Sequence, residues 1–495
     1  MSKRNTIDKV ISYFSPQKGL ARDQARFKSD ALNAKSGYDA AGKGRRNTWF
    51  RGSDSSANTE TRASLITLRG RSRELVRNNP YAHRAIEARV SNVVGGGIIP
   101  AARCDNKKRQ ENAQRLMQAF IHQCDADGVN NLFGLQALAI RAQSEGGEAL
   151  FLRQFVNDPK LAVPLKIRVL EGDFIDHTKE GLLGEGQKIV QGVQFGSDNS
   201  KQGLWLHDTH PGERGMSSFA SKFVSIDQVA HIYEVTRPGQ VRGIPAGVSA
   251  FMRMKGLDDF QDARIEQQKI AACLVGVIKD MENDGTKGDV LPDRLEPGMF
   301  PQLGYGKDIT FNTPPSVSGH EEFVSTEQHC FAAAYGITYE ALTGNLKGTN
   351  FTSGKMGFVE FGRNIERWRW NMLIPQGLKV VERWVIEAAE MAGHDMRGVS
   401  YEWTPPRREM IDQKSEIPAQ IKAIRGGLKS WSETVRENGY DPEALRAEIE
   451  RDNAAFDKQG IVLDSDARKT TNGGQFQMEN SDDEKEHEND ENSEE

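Results

Sequence analysis

The sequence predicts an α+β protein. Apolar residues recur at three- and four-residue steps between about 62 and 144, short alternating segments with turn signals follow, and helical periodicity returns in the second half. At 495 residues and 55.1 kDa, the chain amounts to about three domain-sized units, or fewer if one is a large α/β body. It can bury a sizeable core without a disulfide or metal staple.

From Arg62 to Val94, Leu65, Leu68, Leu75, Val76, Ala85, Ile86 and Val90 carry the helical period, with Arg71, Arg73, Arg77 and Arg84 between them. Pro80 should split this run into two helices, and Gly95-Gly96-Gly97 ends the second. Further helices are expected at about 107–123 and from Leu132 to Ser144. Strands are then predicted at Glu148 to Phe155, Leu165 to Leu170, Ile189 to Phe195, Gly203 to His207 and Val229 to Val235, in a mixed or antiparallel sheet. A long helix is expected over about 247–281, a Gly/Pro-rich stretch over 283–319, and a shorter helix over about 321–335. A Gly/Asn/Thr-rich loop at 344–354 precedes a helical run from Lys355 to Met391, which Pro375 should kink. Short helices are expected over 411–459, the last opening at Asp441-Pro442-Glu443.

Charge is unevenly distributed. Residues 1–50 hold eleven Lys/Arg against four Asp, residues 479–495 hold ten Asp/Glu against Lys485, and the whole chain has a net charge of -5. The first ~45 residues therefore read as a basic flexible arm and the last as an acidic disordered tail. A strongly basic balance, the footprint of a DNA-clamping protein, is absent. No apolar run approaches the ~18–20 residues needed to cross a bilayer, and Met-Ser-Lys-Arg-Asn leads into no signal-peptide core, so neither a membrane-embedded nor a secreted protein is expected. Cys104, Cys124, Cys273 and Cys330 form no Cys-x-x-Cys pair and read as reduced thiols.

Catalytic motifs mostly fail on spacing. In Gly348 to Met356, five residues rather than four separate the glycines, and Met356 stands where a P-loop needs a hydroxyl. Asp125-Ala-Asp127-Gly128 has its glycine at the fourth rather than the sixth position of a calcium loop, which favours a surface turn. Asp173, Asp176 and His177, with His207-Asp208-Thr209-His210 and His231, offer ligands for a transition metal, and a metal-dependent hydrolase is the rival enzymatic reading. No helical His-x-x-x-His spacing organises them, and a polar turn explains His207 to His210 equally. Asp258, Asp262 and Glu266 share one helix face and read as a solvated or inter-subunit surface. Arg363, Arg367 and Arg369 interleave with Trp368 and Trp370, where a nucleic-acid platform competes with a buried core.

Several stretches, in order, resemble the portal proteins of tailed bacteriophages, specifically the lambda-type branch. They begin at Tyr38-Asp-Ala-Ala and include Leu68-Arg-Gly-Arg-Ser-Arg73, Leu75-Val-Arg-Asn-Asn-Pro-Tyr-Ala82 and Val90-Ser-Asn-Val-Val-Gly95. They continue through Asn131-Leu-Phe-Gly-Leu-Gln-Ala137, Leu170-Glu-Gly-Asp-Phe-Ile-Asp176, Arg237-Pro-Gly-Gln-Val-Arg-Gly-Ile-Pro245 and Leu257-Asp-Asp-Phe-Gln-Asp-Ala263.

The resemblance implies a portal fold in a ring-forming homo-oligomer, usually a dodecamer, at one vertex of a phage head. Its parts would be an arm (1–45), an α/β wing (46–245), a stem helix (246–282), a small clip (283–319), a second stem helix (320–336) and a tunnel loop (337–354). A long kinked helix with a return to the wing (355–410), a helical crown (411–460) and the acidic tail (461–495) complete it. It also implies a virion location after assembly in host cytoplasm, and passage of double-stranded DNA through the channel in packaging and ejection. The implied partners are the terminase large subunit, which holds the ATPase, the major capsid protein and scaffold, and the head-completion or connector proteins. No enzymatic activity, cofactor or membrane contact is implied. A DNA conduit must bind its cargo weakly, because each neutralised phosphate adds grip, and the net acidity suits that demand. Lys347 and Lys355, in and beside the loop, are the candidate DNA-channel residues; the alternative is plain solvent-exposed lysines.

Overall fold

An Asn-Pro pair can end one helix and start the next, since asparagine caps and proline tolerates only the first turn. The computed structural model shows this at residue 79. It describes residues 54–213, 220–272, 276–280, 307–311 and 319–463, with a few isolated positions nearer the ends. The expected arm, most of the expected clip and almost all of the acidic tail lie outside the described residues. Met1–Ser56 separates as a unit from Ala57–Glu495, and the second unit holds all that follows.

Helix α1 spans Ala57–Asn78 and α2 spans Pro80–Val93. The Asn79 side-chain oxygen accepts from the N–H groups of Tyr81 and Ala82 at 3.0 Å each. Strand β1 (Ile99–Arg103), helix α3 (Lys107–Gln123) and helix α4 (Leu132–Gly146) follow. Asn131 caps α4 through the N–H of Gly134. Gln136 on α4 is fully buried, and its amide acts as a strand edge for Ile98, accepting from its N–H at 2.8 Å and donating to its carbonyl at 3.0 Å.

Strand β2 (Glu148–Phe155) is the centre of an antiparallel sheet, between β3 (Leu165–Glu171) and β9 (Val229–Tyr233). A second antiparallel sheet runs in chain order through β4 (Gly181–Leu182), β5 (Lys188–Val190), β6 (Val193–Phe195), β7 (Lys201–His207) and β8 (Ser221–Ser225). The single strand expected at Ile189 to Phe195 is thus a hairpin. Gln191 and Gly192 both take positive φ, 49° and 81°, as a two-residue turn matched to strand twist requires. Gln191 bears that strain while buried, because its side chain donates to the Asn58 carbonyl at 2.7 Å and so ties the hairpin to α1.

Helix α5 covers Phe251–Ala272 and stops short of the expected 281. Gly276–Asp280 is instead strand β10, paired antiparallel with β11 (Lys307–Phe311); adjacent β-branched Val277 and Ile278 favour the extended state. Helix α6 spans His320–Tyr335, α7 spans Tyr339–Thr343, and α8 starts at Phe351, inside the expected loop. Asn350 and Ser353 cap α8 reciprocally. Pro375 does not break the helical run. From Arg369 to Leu378 the winding widens to a π-helix, which tolerates the missing N–H, and α9 (Lys379–Met391) continues it.

Strand β12 (Ser400–Thr404) returns to pair with β1, Ile99 facing Thr404. Helices α10 (Gln413–Arg425), α11 (Trp431–Glu437) and α12 (Pro442–Gln459) end the described chain, the last capped by Asp441 with Pro442 in its first turn. One large apolar core joins α1 to α4, the β2 sheet, α6 and the 351–391 run. A smaller one, with Leu150, Ile175, Val193, Leu204, Leu206, Val224, Val229 and Val241, lies between the two larger sheets.

Replacing Gln136 by Leu strands the Ile98 N–H and carbonyl inside the protein. The expected loss is about 2 kcal/mol or more, read as a lower urea midpoint with an unchanged slope.

Candidate functional site

Strand β2 begins with a charged residue ahead of an apolar run, Glu148-Ala-Leu-Phe-Leu. A carboxylate at the head of a central strand is desolvated, and it persists only if cations and N–H groups surround it. Glu148 has them. Arg242, after β9, grips it with two bonds, Nε to Oε1 and Nη2 to Oε2, both 2.8 Å. Arg69 of α1 donates to Oε2 at 2.6 Å, and the Gly243 N–H donates to Oε1 at 2.6 Å. Arg242 also donates to the carbonyls of Gln191 and Gly172, and Arg69 to that of Gly146. Burial would raise the Glu148 carboxyl, but Arg242 and then Arg69, with help from His231, hold it well below the usual carboxylate range.

A second layer surrounds this core. Arg73 bonds both oxygens of Asp173 and one of Glu171. His231 Nε2 lies 3.4 Å from Glu148, while its Nδ1 takes a 2.7 Å bond from Lys201 Nζ. Burial and Lys201 push the His231 ring down to about 3, and burial pushes Lys201 down to about 8 against the pull of Glu148. Neighbouring atoms pack too closely here for a β-carbon at Gly172 or Gly243. One on Gly172 would sit 2.4 Å from Glu148 Oε2, and one on Gly243 would sit 2.0 Å from the Gly147 carbonyl oxygen.

The residues of the hydrolase reading separate into different environments. Asp173 belongs to the arginine network; Asp176 accepts from Thr178 and Ser221 and lies 3.8 Å from His207; His177 is exposed; Asp208 pairs with Lys222; His231 sits against Lys201 and Glu148. Ligand atoms of Glu171, Asp173 and His210 do lie within 4.8 Å of one another, but the Arg73 guanidinium bonds both carboxylates and already supplies their counter-charge. Asp125 closes its own turn, accepting from the N–H groups of Asp127, Val129 and Asn130.

The channel candidates are both ion-paired. Lys347 is highly exposed and 3.4 Å from Glu321; Lys355, in the first turns of α8, is 3.1 Å from Glu416 and over the Phe351 ring. Trp368 and Trp384 are core residues, whereas Trp370 is half exposed. Arg369 is buried against the carbonyls of Val93 and Asn92, Arg367 pairs with Glu234, and Arg363 with Glu360. Asp258 accepts from Asn79 at 2.9 Å, which links α5 to the α1–α2 junction.

Sequence reasoning missed Glu148, Arg242 and Lys201 as members of one site. The available signal was indirect: Arg69, Arg73, Gly172, Asp173, Arg242 and Gly243 fall within three of the family-like stretches, and all converge on Glu148 or its neighbours.

Glu148→Gln keeps the shape and leaves two buried guanidinium groups without their anion; unfolding should become about 3–5 kcal/mol easier. Acid should act in two stages. His231, held down in the folded state, contributes stability that is full above about pH 6.5 and is lost as the pH falls toward 3. Glu148 adds a further loss below the ordinary carboxylate range. His231→Gln should therefore remove about one proton's worth of slope, ~1.4 kcal/mol per pH unit at most, from the stability profile between pH 6 and 4.5.

The model for the lambda family of phage portal proteins matches residues 43–369. The probable portal protein of Halomonas phage phiHAP-1 is 24% identical over 434 residues, covering 80% of this chain and 81% of that one. The portal protein of Escherichia phage N15 is 19% identical over 447 residues, covering 77% and 83%, and portal protein B of Escherichia phage lambda is 19% identical over 319 residues, covering 54% and 59%. Among solved structures, a chain from the neck of a native gene transfer agent particle is similar at 15% identity and a TM-score of 0.46, over 75% of this chain and 94% of that one. With about two thirds of its length inside the family match, this chain belongs to the lambda family of phage portal proteins.

Proposed function

We propose that copies of this chain, most simply twelve, close into a ring at one vertex of a phage head and form the channel for genome packaging and ejection. The family match over residues 43–369 carries this reading. The ring would work through shape and surface rather than chemistry, as portal proteins are structural. It would sit in the virion after assembly in the host cytoplasm. It would receive the terminase motor during packaging and head-completion proteins afterwards, with capsid and scaffold around it.

The layout of the chain supports the same assignment. Helices α1 to α4 and the two larger sheets form the wing. Helices α5 and α6 pair as the stem through the Arg253–Glu327 bridge, 2.6 and 2.9 Å, and the Phe260–Phe323 contact at 5.1 Å. Strand β11, inside the expected clip, pairs with β10, which replaces the end of the expected first stem helix, so the clip would begin at β10. Residues 344–350 are the tunnel loop, the 351–391 run the long helix, and α10 to α12 the crown. Leu346, Phe351, Met356 and Val359 are exposed in the single chain, and neighbouring subunits would cover such a row.

Lys347 and Lys355 would form axial girdles. Their pairing with Glu321 and Glu416 moderates the charge presented to passing phosphates, which suits a conduit that must not grip. Lys347 and Glu321 are so exposed that the pair does little for stability.

The purified protein should elute near the mass of twelve 55.1 kDa chains, about 660 kDa, and give rings in negative stain. A chain that stays single under every condition sinks the proposal. Lys347→Ala with Lys355→Ala should leave the rings intact and lower packaging or genome retention in particles; unchanged packaging removes the girdle while leaving the ring.

A further inference from the structure

A guanidinium buried on an apolar helix face needs a matching anion. Arg89 lies on α2 among Ala82, Ala85, Ile86 and Val93 and is 4% exposed. Its Nε donates to Ser144 Oγ at 3.1 Å and its Nη1 to the Tyr335 carbonyl at 3.0 Å, and the group stacks 3.8 Å over Trp368. The carboxylate nearest to it is Glu234, 3.8 Å from Nη2, too long for a hydrogen bond. That carboxylate is shared: Arg367 reaches it at 3.0 Å. Two guanidinium groups therefore divide one negative charge. Burial pushes the Arg89 group down to about 10 despite the opposing Glu234.

These side chains line an open cavity of about 420 Å³ between α2, the end of β9, the 244–247 turn and the ends of α6 and α8. Two more of its lining residues hold buried donor atoms. The Trp368 Nε1–H and the Tyr335 O–H have no partner among the described residues, and both side chains are at least 98% buried. Two guanidinium groups that share one carboxylate thus border open volume.

We propose that this cavity binds an oxyanion of the carboxylate or phosphate class, held by Arg89 and Arg367, with Glu234 as an internal competitor for the same guanidinium groups. Planar forks of N–H donors are the usual means of holding such groups. The site is independent of the ring reading, because every residue in it comes from one chain.

Thermal unfolding of the full-length protein, with sodium phosphate titrated against sodium chloride at matched ionic strength, tests it. A saturable rise in Tm with phosphate and none with chloride is expected. Arg367→Gln should weaken the apparent affinity about tenfold or more, the worth of a charge-assisted bond. Glu234→Gln should strengthen it, since the competing carboxylate is gone. No saturable phosphate effect in the native protein and in Glu234→Gln overturns the proposal, and so does an equal affinity in the two. The source of the natural oxyanion separates in the same samples. Phosphate that hinders association of chains identifies an acidic side chain of a second copy, whereas a Tm rise with association unchanged identifies a free anion; either keeps the site.

Discussion

The interior of the α/β body is organised around one desolvated negative charge. Glu148 sits where water cannot reach, and the cost of that placement is offset only if Arg69, Arg242 and the Gly243 N–H arrive together. Those groups belong to α1, to the segment after β9 and to its continuation, which lie 79 to 95 residues from Glu148 along the chain. Correct folding of the α/β body and neutralisation of Glu148 are therefore the same event. Apolar packing alone would tolerate small slips of α1 over the β2 sheet; a bidentate Arg–carboxylate bond does not. The glycines follow from the same constraint. With Oε2 occupying the space where a Gly172 β-carbon would stand, no side chain fits at that position.

This explains what could and could not be read in the sequence. Helix boundaries set by local chemistry, such as Asn79-Pro80 and Asp441-Pro442, were legible because the cap and the helix are adjacent in the chain. Strand β2 was legible to the residue from its apolar run. Strands β1 and β12 were not, because their pairing spans some 300 residues and neither segment is strongly patterned alone. The hairpin at Gln191 was missed for a related reason: its positive φ is held by a tertiary bond to Asn58, not by a favoured turn pair. The histidines show why the rival metal reading could not be decided from spacing alone. Residue types able to bind a metal cluster in sequence at 173–210, yet arginines of α1 claim Asp173, Thr178 and Ser221 hold Asp176, and Lys222 pairs with Asp208. Composition identifies potential ligands, while the fold decides which cation they meet. The ordered resemblance touched the site without its chemistry, since three of its stretches supply the residues that converge on Glu148.

The 351–391 run shows a related contrast between clamped and loosely held segments. Its C-terminal half is clamped from several sides. Arg369 bonds the carbonyls that end α2, Gln376 accepts the Tyr233 N–H, and the Trp384 indole donates to the Asp227 carbonyl. Pro375 survives there because surrounding contacts hold the widened turns in place. Toward the N-terminus the ties thin out: Asn364 donates to the Gly336 carbonyl and the Phe358 carbonyl accepts from Arg408, but none of residues 351–360 is buried. Phe351, Met356 and Val359 face outward, and the ties at Lys355 and Lys347 are ion pairs of the kind that contribute little when exposed. A rod held along most of its length and bare over its first turns takes the setting of its tip from whatever surrounds it. Within a closed ring that surrounding is the neighbouring copy, so the loop at 344–350 would be a property of the assembly, while the ion cluster at Glu148 stays a property of each chain.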